Sequence, residues 1–208
     1  MVGSDMASLD IPQSRVEAIL SFWFGDSTDP DYGHYRKSWF IKDPAFDEQI
    51  RQRFLTDTQK AAERAYENWQ ALPSAAVALI LLLDQFPRNL YRGQPRSFAT
   101  DAQALEVAQH LVNAGRDRDL MPAHRFFVYL PFEHSEDMHH QNRCVELMEQ
   151  MIENFPDLDP GLKGGLDYAK RHREVIEQFG RFPHRNKILD RQSTPAEIAF
   201  LQQPGSSF

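Results

Sequence analysis

Cysteine is almost missing from this chain: its 208 residues include one, Cys144. A single thiol excludes an internal disulfide framework and any zinc site built on thiolates. Cys144 falls on an apolar helical stripe, where cysteine behaves as a small hydrophobe, and no neighbour in sequence would lower its pKa. Long apolar runs are missing too. The longest, Ala75 to Leu83, has nine residues, too few to span a bilayer. The opening stretch MVGSDMASLDIPQ has no basic region followed by an apolar one, so no secretory signal and a cytoplasmic location are expected. No segment of useful length alternates apolar with polar residues, which argues against any sheet. A glycine-rich phosphate loop and a Gly-x-Ser-x-Gly elbow are both absent, and no serine is marked out as a nucleophile.

Positive charge is in deficit. Lys and Arg total 23 against 30 Asp and Glu, a formal charge of −7. Such a chain repels phosphate backbones on average, so nucleic acid is not an expected partner. Apolar residues, by contrast, are plentiful: 41% of the chain, with 15 Phe and 3 Trp, enough for a packed core. No Pro/Gly/Ser-rich linker divides the sequence, and residues 1–208 read as one helical domain with an ordered core over about 14–202.

Helical periodicity runs throughout. Ser14 and Glu17 have capping-box spacing, with Val16, Ile19, Leu20, Trp23 and Phe24 on one stripe before Gly25. Asp43-Pro44 and Asp159-Pro160 pair an N-cap with a proline at the first helical position. The Ala75 to Leu83 run is apolar on every side and predicts a helix at the centre of the fold, closed by Pro87. Thr100 with Gln103, and Thr194 with Glu197, suggest two further capping boxes. Arg125 to Leu130 predicts a short helix ended by Pro131, and Ser135 a cap for the long helix that follows. Trp23, Phe24, Trp39 and Phe40 are read as core. The expectation is an all-α fold of about eight or nine helices in antiparallel pairs.

The unusual chemistry gathers at three places. QFPRN at Gln85 to Asn89 returns as RFPHRN at Arg181 to Asn186. Each copy sets guanidinium and amide donors beside an aromatic ring: Arg88 and Asn89 in the first, His184, Arg185 and Asn186 in the second. The third stretch, LPFEHSED, adds Glu133 and His134, the candidates for acid–base work. With Ser135 as the cap, both would project over the N–H groups of the next helix, a setting that favours an anion. The bland alternative is that Arg88 and Arg185 only pair with Asp84, Asp101 or Glu133 and satisfy helix-end carbonyls.

A metal is not expected. Glu136 and His139 form one Glu-x-x-His half-motif of the di-iron bundles, but there is no second half. His134 lacks the partner four residues on that a zinc protease needs, and adjacent His139 and His140 point about 100° apart on a helix. No cofactor is implied by any motif.

FWFG near the N-terminus, LDQFPRNLYRG, YLPFEHSED and FGRFPHRN, in that order, resemble the bacterial family called domain of unknown function 924. The resemblance spans about Val16 to Leu201. It implies a right-handed helical array similar to tetratricopeptide-repeat proteins, although no clean repeat of about 34 residues is visible. It brings no activity and no catalytic residue with it.

Two functions follow as expectations. In the first, Asp84, Arg88, Asn89, Arg125, Glu133, His134, His184, Arg185 and Asn186 meet around a polar pocket for a small anionic metabolite, with or without turnover. In the second, stacked helix pairs form a groove for a peptide or protein and no chemistry occurs.

Overall fold

A computed structural model describes residues 11–206; the opening ten residues, part of the stretch read as lacking a secretory signal, lie outside it. Nine α-helical segments are present among the described residues: α1 Gln13–Phe24, α2 Pro44–Ala62, α3 Pro73–Ile80, α4 Phe86–Leu90, α5 Asp101–Asn113, α6 Pro122–Glu133, α7 Met138–Asn154, α8 Pro160–Phe179 and α9 Pro195–Leu201. A π turn over Leu81–Gln85 fuses α3 and α4 into one rod, so the rods number eight. No described residue is in a strand. No described helix is long and apolar enough to cross a membrane.

The all-apolar run becomes the axis of the molecule. Ala75 to Leu83 are all buried, and α3 packs on α1, α5 and α6. Outward from it, α6 packs on α5, α7 and α8, and α7 packs along α8, giving an array of neighbouring helices. Trp23, Phe24, Trp39, Phe54, Phe86 and Phe127 interlock by edge and tilted contacts in the main core. Cys144 is buried in that core and its burial pushes the thiol pKa up, as expected of a packing residue. Phe40 departs from expectation: it is 49% exposed, lying parallel to Phe127 at the rim.

Caps decide several boundaries. The Asp43 and Asp159 carboxylates accept from N–H groups of α2 and α8, and Thr194 forms a full capping box with Glu197. Two expected boxes do not form. α1 starts at Gln13, and the Pro12 carbonyl accepts from Arg15 and Val16, leaving Ser14 inside the first turn. Thr100 sits at the start of α5, but its hydroxyl donates to the Leu83 carbonyl instead.

That last bond explains why Pro87 does not close the central helix. The Leu83 carbonyl would take the N–H of residue 87 in an α-helix, and proline has none. Thr100 supplies the missing donor, while the Phe86 N–H reaches back to Leu81 in π register. Arg88 curls its own guanidinium onto the Asp84 carbonyl. The rod therefore runs through the proline. Pro131 likewise lies inside α6, which continues to Glu133.

α8 meets its neighbours through glycine. A Cβ at Gly165 would land on the Phe126 ring, far inside contact distance, whereas one at Gly164 would meet nothing within 4 Å. Gly165→Ala is expected to lower stability by about 1–3 kcal/mol through overpacking. Gly164→Ala should raise it by up to about 1 kcal/mol through helix propensity. Thermal denaturation of the two variants side by side checks both signs.

Candidate functional site

The C-terminal end of α6 gathers the charged groups. His134 follows the last residue of α6, and α7 is capped by Asp137, which accepts from the His139 N–H at 2.7 Å. Ser135 is not the cap; its hydroxyl lies 2.9 Å from His140 Nδ1. Glu133 and His134 therefore sit beside helix carbonyls rather than helix N–H groups, which reverses the expected electrostatics. The amide of buried Gln141 occupies part of this carbonyl end, donating to Glu133 at 2.6 Å and Ser135 at 2.7 Å.

From this end a connected network crosses three elements. His134 Nδ1 is 2.7 Å from Asp84 Oδ1, at the π turn. Arg88 Nη1 lies 3.3 Å from the same oxygen, and Gln85 donates to Oδ2. The Arg88 fork also holds Asp101, at the start of α5, in two bonds of 3.0 and 3.1 Å. Asp101 Oδ2 in turn accepts from Arg185 Nη1 at 3.3 Å. Arg185 belongs to a short 3-10 turn, Pro183–Arg185, after α8. Its guanidinium lies between two rings, 4.7 Å from the Phe98 centroid and 4.6 Å from Phe182.

Charge states divide sharply. Burial pushes the Asp84 carboxyl up, but Arg88 and His134 more than offset it and hold it well below the usual carboxylate range. Asp84 is thus an anionic acceptor, so neutral His134 carries its proton on Nδ1. Its Nε2 makes no hydrogen bond with any described residue, and the side chain is 14% exposed. Burial and Arg88 push the His134 pKa down. Glu133 moves the other way: burial and the charge of Asp84 raise it to about 8. It is a carboxylic acid at neutral pH, with Oε1 3.5 Å from His172 Nδ1 and Oε2 buried without a partner among the described residues. Burial lowers His172 to about 3; burial and Arg185 lower His184 to about 4. Burial brings Arg185 down to about 10.

Of the residues singled out in the sequence, Asp84, Arg88, Glu133, His134 and Arg185 meet here, with His184 beside them through Phe182, at 5.6 Å between rings. Three do not join. Asn89 donates to Asp47 at 2.8 Å, tying α4 to α2. Asn186 bonds Ser193 and accepts from Arg191, bracing the 3-10 turn. Arg125 sits in the first turn of α6, against Tyr129. Glu136, the metal half-motif acid, is taken by Arg191 at 2.7 and 3.0 Å and by the Phe182 N–H. No group of three or more His, Cys, Asp or Glu among the described residues could hold a metal ion.

Sequence reading missed His172 and Phe98. A signal existed for the first: His172 lies between Ala169 and Ile176 on the buried face of α8, a polar residue on an apolar stripe. Phe98 gave none, because only the fold brings it to Arg185, where it joins Phe182 of the RFPHRN motif.

Comparison with known proteins agrees with this architecture. A protein of unknown function from Agrobacterium tumefaciens has a solved structure that superposes with a TM-score of 0.77 at 37% identity, covering 91% of this chain and 98% of that one. No curated protein matches the chain. The model of a family described as bacterial protein of unknown function, DUF924, matches residues 19–205, a span that includes the π turn, the end of α6 and the Arg185 turn. The chain belongs to that family.

Proposed function

We propose that this cluster binds a small anionic metabolite and moves a proton on it. The observation that carries the reading is the state of Arg185. Its guanidinium lies over two rings, makes one long bond to Asp101, and its buried Nε has no partner among the described residues. A guanidinium so fixed and so under-used is prepared for a carboxylate or phosphate group. Arg88, committed to Asp84 and Asp101, positions rather than binds.

The acid–base pair lies next to it. Asp84 orients His134 and makes its Nε2 a lone-pair base, while Glu133 keeps a proton to give. Two neighbouring groups with opposite tuning are the pattern expected of proton-transfer sites. The reading includes a cytoplasmic setting and a small-molecule rather than a protein partner.

A thermal-shift screen of the wild-type chain against small anionic metabolites tests it. A hit should bind Arg185→Gln at least about tenfold more weakly, the worth of one charge-assisted hydrogen bond. His134→Ala should keep binding and lose turnover. A hit whose affinity is unchanged in Arg185→Gln would sink the proposal.

A further inference from the structure

Arg125 stands eight residues before Glu133 on α6, roughly 12 Å along the axis. It is 5% exposed, yet it is poorly served by the protein. Its Nε–H donates to the Tyr129 hydroxyl at 3.1 Å. Nη2 stops 3.8 Å from Asp117 Oδ2, outside hydrogen-bond reach, and that oxygen accepts the Tyr129 O–H at 2.7 Å. The Phe155 ring covers one side, 5.6 Å from the guanidinium carbon. No described residue accepts from the Nη–H donors. The guanidinium of this nearly buried side chain lines an open space, and the position of that space is informative.

That space is a cavity of about 210 Å³ where α5, α6 and α7 meet, lined by Arg118, Arg125 and Arg143 with Asp117, Gln150 and Asn154. Arg143 has one bond, to Glu146 at 3.1 Å, and Arg118 is exposed. Three guanidiniums face one carboxylate in a chain whose formal charge is −7. Such a local reversal of sign concentrates anions.

We propose that this cavity is a second binding site, for a small oxyanion of phosphate or short dicarboxylate size. Arg125 holds the oxyanion from the floor, Arg118 and Arg143 close on it from the mouth, and the Gln150 and Asn154 amides complete the donor set. The volume equals about seven waters at roughly 30 Å³ each. It lies below the roughly 300–1,000 Å³ of drug-sized pockets, so a nucleotide is too large. The site shares no residue with the His134 cluster and does not depend on the function proposed for it.

Isothermal titration of the full chain with inorganic phosphate, and separately with malonate, tests this. At least one of the two should give a saturable single-site isotherm. The double variant Arg118→Ala/Arg143→Ala, both outside the core, should weaken it by about tenfold or more, and Arg125→Lys should weaken it in an otherwise intact fold. Arg185→Gln should leave it unchanged. The proposal is overturned if neither anion binds, if the isotherm survives both Arg118→Ala/Arg143→Ala and Arg125→Lys, or if Arg185→Gln abolishes it.

Discussion

Asp84→Ala is expected to lower the free energy of unfolding by about 3–5 kcal/mol, the cost of breaking a buried ion pair by deleting one partner. Asp84 is fully buried, and its carboxylate serves His134, Arg88 and Gln85 together. Without it Arg88 keeps Asp101, but His134 loses its orienting acceptor and Glu133 loses the nearby negative charge that helps to hold it protonated. Asp84→Asn keeps the shape and one acceptor oxygen, so it should cost less. Urea denaturation of the three chains measures the differences. A loss below about 1 kcal/mol for Asp84→Ala would show that the network is not cooperative with the core.

The second large effect is a stability maximum near pH 7, set by groups whose pKa values separate in opposite directions. Burial holds His172 at about 3 and His124 and His184 at about 4 in the fold, against an ordinary value of 6.5. Between pH 4 and 6.5 the unfolded chain therefore binds more protons, and stability rises with pH. Glu133 opposes this, with an ordinary value of 4.5 and a folded value of about 8. Through that window the folded chain keeps the extra proton, so the Glu133 contribution falls as pH rises. These three histidines, joined by His134, whose pKa burial and Arg88 also lower, outweigh one glutamate until close to pH 7. Above about pH 7 the unfolded histidines are mostly neutral, Glu133 dominates, and stability declines towards pH 8. Guanidinium melts at pH 5, 7 and 8 should trace this bell. Glu133→Gln should remove the alkaline limb and become more stable than the wild type at pH 8, with the difference shrinking towards pH 4.5. An unchanged alkaline limb in Glu133→Gln would place the titrating group elsewhere.

Much of this architecture was legible one residue at a time. The nine apolar residues from Ala75, the Asp-Pro caps and the Thr194 box each state a local preference that the fold keeps. Proline misled twice. Pro87 and Pro131 read as helix ends, since nothing in sequence shows that Thr100, thirteen residues on, will supply a donor to the orphaned Leu83 carbonyl. The same blindness put Glu133 and His134 at the wrong pole of a helix. Ser135 looked like a cap because it is a good one by type, and Asp137 took the place. For the site, residue type and local motif picked out Arg88, His134 and Arg185, whereas Asn89 and Asn186 share the motifs but serve as braces. Asp101 was in view as a salt-bridge partner, and Phe182 stands in the same motif as Arg185, whereas Phe98, the second ring over Arg185, comes in by long-range packing and has no local trace.

The fused rod carries a consequence for how this chain can vary. Relative to an α ladder, a π turn is one surplus residue, so losing any one of Leu81, Leu82 or Leu83 would restore the regular repeat at little cost to the apolar interior. The same loss would remove the widened turn that carries Asp84 towards His134 and Arg88. A shortened homologue could then keep its shape and forfeit the acid beneath the imidazole. Length across this stretch, more than identity within it, would then decide whether a chain retains the cluster or only the scaffold.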